Sequence, residues 1–292
     1  MKKSFREKLV NKEFAVTMEI DIPKGLNLQK AYDSIYPLKD YIDAINIPDN
    51  PMAKMRISPI SLGYLIKNKL DIEPIFHFSC RDRNILAIQS ELLGASALGI
   101  NNILALTGDD PKAGDYPNAK GVFDLDSIEL VRTIVNLNSG LDQKGDVIEG
   151  SANFLIGGVA NPGSDDLEKE VEKLHKKIES GVEFIQTQPI FDINKLEKFI
   201  NATKNIDIPI LYGFMPLKSA KFARYLNNNV SGIDVPNEFI NRIEEKGRIA
   251  SLEIGREILN KLRKITNGVH IFPMGDIDLV RELFEEGAAY NE

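Results

Sequence analysis

Cysteine is nearly missing from this chain: Cys80 is the one example in 292 residues. No disulfide can form within the chain, which fits a reducing compartment and makes the cytoplasm the expected location. Long apolar runs are missing too. None approaches the roughly 20 residues that a bilayer-spanning helix needs. The start, Met1-Lys2-Lys3-Ser4-Phe5-Arg6-Glu7, has no apolar stretch after its basic residues, so no secretory signal is expected. Positive charge is in deficit. Thirty-six Lys and Arg face 43 Asp and Glu, for a net charge of −7. That balance argues against a general nucleic-acid or anionic-membrane binder. Histidine is scarce as well. His77, His175 and His270 lie far from one another and from Cys80, so no zinc-ligand spacing is present and no metal is expected. No linker, low-complexity tract or residue-level repeat interrupts the chain. One domain over residues 1–292 is expected, and 43% hydrophobic residues suffice for a sizeable core.

What is present is an alternation. Eight short apolar runs occur in order: Phe14–Ile20, Ala44–Ile47, Pro74–Phe78, Ile103–Leu106, Phe154–Val159, Phe184–Thr187, Pro209–Phe214 and Val269–Phe272. Several are rich in Ile and Val with no polar break, as strands covered on both faces are. Amphipathic stretches separate them. Ile85–Gly99 has Gly99 as a candidate C-cap, and Asp126 is a candidate N-cap for the run beginning at Ile128. Asp165–Ser180 spaces Leu167, Val171, Leu174 and Ile178 by 4, 3 and 4 and stops at Gly181. Asp192–Thr203, Pro236–Ile265 and Asp278–Glu286 continue the series. Eight βα units predict an α/β fold, a single-domain (βα)8 TIM barrel, with an open doubly wound sheet as the alternative. The long connection Thr107–Asp124 then falls on the catalytic rim, and Asn138–Ser151 on the opposite face.

Function in such a barrel sits where strands end. Glu19 and Asp21 share one face of the first run. A carboxyl there is either a buried ion pair or an acid of raised pKa. His77 lies among apolar residues of the third run and is a core histidine or a ligand contact. Cys80 lacks an evident base partner and reads as a small buried or rim residue. Thr107-Gly108-Asp109-Asp110-Pro111 suits close backbone approach to a flat ligand, or an ordinary turn. Gln186 and Gln188 share a face of the sixth run, and Phe191 stacks on a ring or packs a helix. Gly275-Asp276, after the eighth run, caps the last helix or joins the rim.

In this order the strand ends resemble the methylenetetrahydrofolate reductase family, over about residues 14–284. Met18-Glu19 with Pro23-Lys24, Phe76-His77-Phe78-Ser79-Cys80, Ala105-Leu106-Thr107-Gly108-Asp109-Asp110-Pro111, Gln186-Thr187-Gln188-Pro189-Ile190-Phe191-Asp192 and Gly213-Phe214-Met215-Pro216-Leu217 each look like a family motif. One such motif is weak; five in order are specific. Asn46-Ile47-Pro48-Asp49-Asn50-Pro51 is similar to the reductase half of bifunctional homocysteine methyltransferase–reductase proteins.

The resemblance implies a flavin, FAD with FMN as the alternative, reducing 5,10-methylenetetrahydrofolate to 5-methyltetrahydrofolate. NADH or NADPH would load it. Glu19 matches the family's acid. Asp109 matches a carboxylate near flavin and pterin. Gln188 matches a folate-contacting amide, with Phe191 beside it. His77, Thr107, Gly108, Asp109, Lys173, Lys176 and Lys177 fall at or near flavin-contacting positions. The three lysines equally suit a solvated helix face.

Three departures stand out. Thr107 replaces a usual arginine. Phe222 and Leu226 occupy positions where a glutamine and a phenylalanine handle folate and nicotinamide. The fifth-strand exit, Gly158-Val159-Ala160-Asn161-Pro162, lacks the usual aromatics. They point away from direct NAD(P)H use and toward an electron-delivering partner subunit; a homo-oligomer is also compatible. The competing readings are a corrinoid-linked pterin methyltransferase barrel, a phosphate-sugar aldolase or isomerase, and a non-catalytic electron-relay barrel.

Overall fold

The computed structural model describes residues 3–230 and 232–288. Eight parallel strands close in sequence order: β1 (Ala15–Glu19), β2 (Ala44–Ile47), β3 (Glu73–Ser79), β4 (Asn102–Leu106), β5 (Leu155–Ala160), β6 (Phe184–Pro189), β7 (Ile210–Phe214) and β8 (Gly268–Ile271). Pairing of β1 with β8, Thr17 opposite His270, shuts the ring and leaves no sheet edge. The expected barrel is the observed fold, and every expected apolar run carries a strand, with ends displaced by two residues or fewer.

The helices are α1 (Phe5–Val10), α2 (Gln29–Ile35), α3 (Pro59–Leu70), α4 (Ile85–Ala97), α5 (Ser127–Asn138), α6 (Leu167–Ser180), α7 (Ile193–Ala202), α8 (Ala220–Asn229), α9 (Asn237–Lys246), α10 (Arg248–Ile265) and α11 (Ile277–Ala288). Asp126 caps α5 through the Ile128 and Glu129 N–H groups, and Glu129 returns a bond to the Asp126 N–H. That reciprocal box sets the exit angle of the chain leaving the rim. The Pro236–Ile265 stretch is two helices, not one. Gly247 adopts φ +58 between α9 and α10 and breaks the ladder.

One element was not anticipated. Helix α1 lies across the N-terminal end of the barrel and closes it. Ser4 and Glu7 form its capping box, and the Phe5 N–H donates to Glu73 Oε1 at 2.9 Å. Phe5 and Leu9 are buried with Ala15, Ala44, Ile75, Leu104, Leu155, Phe184 and Leu211, one contribution from each of seven strands. Phe5 meets Phe184 edge to face at 5.5 Å. Phe184 fits because Gly157 faces it: a Cβ there would sit 2.4 Å from the ring. The second, larger core lies between the strands and the helices. Apolar packing thus fills the lower barrel, and open space is left at the C-terminal end.

Candidate functional site

At that end a cavity of about 450 Å3 is lined by residues from seven of the eight strands or their exits. Its floor is a chain of buried polar side chains. The Asn46 amide nitrogen lies 2.9 Å from His77 Nε2 and donates to Gln186 Oε1 at 2.6 Å. Gln186 Nε2 donates to Asn46 Oδ1 at 3.1 Å and to Thr17 Oγ1 at 2.9 Å. Thr17 Oγ1 sits 2.9 Å from His270 Nδ1. All five residues are buried. Burial holds both imidazoles neutral: the His77 pKa falls to about 4, against a smaller upward pull from Asp49, and that of His270 falls to about 3.

The wall beside β3 carries charge. Asp49 is buried and accepts from the Ser79 N–H (3.0 Å), the Ser79 hydroxyl (2.9 Å) and Arg83 (2.6 Å). Arg81, also buried, clasps Asp82 through Nε and Nη2, while its Nη1 has no partner among the described residues. The rim follows from β4. Gly108 takes φ +98, and a Cβ there would lie 2.9 Å from Arg81 Cβ and 3.0 Å from Ser79 Cβ, so only glycine lets the loop pass. Asp109 follows, exposed on the rim. On the far side the β6–β7 register shifts between Gln186 and Pro189, and the Thr187 hydroxyl takes up the Gly213 N–H. This irregularity sends Gln188 to the rim while Gln186 stays in the floor.

Glu19 ends β1 at the cavity. The residue is half-buried, and its carboxyl makes no hydrogen bond or ion pair among the described residues. Desolvation, with Asp21 nearby adding like charge, pushes its pKa up to about 7. Such a carboxyl is protonated for a large fraction of the time at neutral pH and can serve as an acid. No group of acidic, histidine or cysteine side chains among the described residues is arranged to hold a metal. No helix among them is long and apolar enough to cross a membrane.

A family model described as methylenetetrahydrofolate reductase matches residues 4–286. The chain belongs to the methylenetetrahydrofolate reductase family. Relatives include methylenetetrahydrofolate reductase 1 of Schizosaccharomyces pombe, 25% identical over 76% of this chain and 36% of that protein. Methylenetetrahydrofolate reductase (NADH) 1 of Arabidopsis thaliana is 30% identical over 56% of this chain and 28% of that protein. The chain thus spans about a third of the length of the curated relatives it matches. A Clostridium thermocellum protein described as binding two copies of 5-methyl-5,6,7,8-tetrahydrofolic acid shares the fold. Its TM-score is 0.60 at 18% identity, over 97% of this chain and 98% of that one. A 2,3-dimethylmalate lyase superposes at TM-score 0.52 and 11% identity, over 98% of this chain and 85% of that one.

Against the motifs of the methylenetetrahydrofolate reductase family, the barrel brings Glu19, His77, Thr107, Gly108, Asp109, Lys177 and Gln188 to one cavity. Lys177 is half-buried on α6 and bonds the Val159 carbonyl, and desolvation lowers its pKa. Three residues expected at the site lie off this cavity. Phe191 is buried in the outer core, because the chain turns away from the barrel once β6 ends at Pro189. Lys176 points to solvent and pairs with Glu172 at 2.8 Å, one helical turn back. Lys173 is exposed and off the cavity, on the flank of α6 that carries Lys177. Cys80, expected to be buried or on the rim, is buried, its thiol pushed up to about 12 chiefly by desolvation. Sequence reasoning missed Thr17, Asn46, Asp49, Arg81 and His270. Thr17 was within reach of it, two residues before Glu19 and so on the same strand face. Arg81 and Asp49 needed the fold, since nothing in the sequence brings two loops together.

Proposed function

We propose that this chain is the catalytic barrel of a flavin-dependent methylenetetrahydrofolate reductase, converting 5,10-methylenetetrahydrofolate to 5-methyltetrahydrofolate. The observation that carries the reading is Glu19, an acid of pKa about 7 at the edge of a cavity whose rim also holds Asp109 and Gln188. The folate-binding description of the C. thermocellum barrel supports the choice of substrate.

The residues present fit a flavin. Gly108 leaves room for a flat ring, Leu104, Ala105, Val159 and Phe272 offer apolar wall, and Lys177 stands at the edge for a phosphate. Arg81, with its free Nη1, offers a cation in the wall near the place where Thr107 lacks one. When bound, the flavin supplies a two-electron hydride. Glu19 gives its proton to the amine nitrogen as the C–N bond to the methylene carbon breaks. That proton stays on the released amine nitrogen, and the hydride alone supplies the third hydrogen of the new methyl group. Gln188 and Asp109 hold the pterin edge by hydrogen bonds. The floor and the packed lower barrel keep bulk water from the reacting carbon.

A second reading concerns the electron donor. Leu226 is buried in the outer core, and Phe222 packs half-buried against it beneath Lys218. Neither lines the cavity, so these two positions offer no stacking surface for a nicotinamide inside it. This favours delivery of electrons by a partner subunit over direct NAD(P)H use.

The test is anaerobic. Purified full chain loaded with FAD is reduced with dithionite, then mixed with 5,10-methylenetetrahydrofolate. Reoxidation with formation of 5-methyltetrahydrofolate is expected. Glu19→Gln is expected to keep the flavin and its reduction yet lose about 10^2-fold or more in folate reduction. Failure to bind flavin, or normal turnover by the variant, would overturn the reading.

A further inference from the structure

The floor of the cavity has a property that its residue types alone do not reveal: its hydrogen bonds run in one direction. The Asn46 amide has two protons. One goes to Gln186 Oε1, so the other, aimed at His77 Nε2, makes that nitrogen an acceptor. The Gln186 amide protons are both used, on Asn46 Oδ1 and Thr17 Oγ1. The Thr17 hydroxyl therefore receives a proton from Gln186, and the acceptor within its reach is His270 Nδ1. Each buried imidazole thus uses one nitrogen as an acceptor inside the chain. Both rings being neutral, each carries its proton on the other nitrogen: Nδ1 of His77 and Nε2 of His270. Those two nitrogens have no partner among the described residues, and neither is sealed off from the cavity that both residues line.

We propose that the chain His77–Asn46–Gln186–Thr17–His270 locks both imidazoles as single tautomers with N–H toward the cavity, so that the floor recognises a ligand edge bearing hydrogen-bond acceptors, a carbonyl oxygen or an imine-type nitrogen. Asn46, Gln186 and Thr17 are positioning residues: they fix what the histidines present. The opposite sense, with both cavity-facing nitrogens as acceptors, would need both amides to turn over together. The chain therefore couples two histidines from strands five positions apart in sequence order. A conjugated heterocycle with adjacent carbonyl and imine groups, such as an isoalloxazine, meets the donor pattern; that identification rests on the function proposed above, whereas the donor pattern does not.

The experiment uses the full chain, free of ligand, labelled with 15N-histidine. Two-bond 1H–15N correlations separate the tautomers. His77 protonated at Nδ1 and His270 at Nε2 is the expected result. His77 protonated at Nε2, or an averaged pattern for either ring, overturns the proposal. Asn46→Asp exchanges the donor facing His77 for a carboxylate, so His77 should then carry protons on both nitrogens at pH 7; retention of the wild-type pattern in the folded variant overturns it too. FAD is then titrated into the wild type. A downfield shift and slowed solvent exchange of the His77 Hδ1 or His270 Hε2 signal supports the donor role. Binding with both signals unmoved refutes it. If FAD does not bind at all, the flavin reading fails by itself, and the tautomers measured without ligand still decide the lock.

Discussion

The Met52 N–H donates to the Asp109 carboxylate at 2.8 Å, tying the loop after β2 to the loop after β4 across the rim. The tied loop is strained. Asn50, Met52 and Ala53 have φ of 44, 53 and 53, a left-handed region that costs non-glycine residues on the order of 1 kcal/mol each. One rim carboxylate therefore has two roles, facing the cavity and holding a loop in a conformation it would otherwise leave. Asp109→Ala should speed amide exchange at Met52–Lys54 by about tenfold or more, with little change in the strands. Unchanged protection would mean that the loop holds itself.

Glu19 should make stability fall as pH rises. Its folded pKa, about 7, stands above its ordinary 4.5, so the folded state binds the proton more tightly than the unfolded chain does. The stabilisation is complete below pH 4.5 and is lost as pH climbs through 7. Glu19→Gln should therefore be more stable than wild type at pH 8, by about 3 kcal/mol, and close to it at pH 4.5. Urea unfolding at the two pH values measures the difference; a gap that does not change with pH refutes the assignment.

Gly108→Ala combines a φ of +98 with a Cβ pressed against Arg81 and Ser79. A loss of about 1–3 kcal/mol in stability is expected, along with weakened binding of any flat ligand. Wild-type thermal midpoint and FAD affinity in this variant would show that the rim is free to shift.

Lys177 and Lys176 are adjacent in sequence and opposite in situation. Lys177→Ala should lower FAD affinity several-fold and reduce its dependence on salt, whereas Lys176→Ala should leave both unchanged, because its ammonium is engaged by Glu172 in solvent. Equal losses in both variants would contradict the placement of the cavity edge.

Phe5→Ala removes a buried ring from the lower end of the barrel. It should cost about 3–5 kcal/mol, read as a lower urea midpoint. A cost under about 1 kcal/mol would mean that α1 is an ornament rather than a closure.

The barrel was legible because several strands are almost continuously apolar and alternate with amphipathic helices, a pattern the sequence reports directly. Glu19, Gly108, Asp109 and Gln188 were legible as polar or small residues at apolar run ends. What resisted reading depends on the third dimension. Phe191 follows Gln188 closely, yet the chain turns at Pro189 and carries it outward. Lys173, Lys176 and Lys177 look alike in sequence; the rotation of α6 turns Lys176 to solvent, and one helical turn along the same flank separates Lys173 from Lys177. The six residues of α1 are too few to show helical periodicity, and their partners come from strands along nearly the whole chain.

Phe5 and Phe184 stopper the barrel from below, which makes the cavity a cup with a single mouth. Whatever enters must leave by the same opening, so any ligand of the floor has to pass the rim loops in both directions. The plug at one end thereby confines every exchange of ligand to the other.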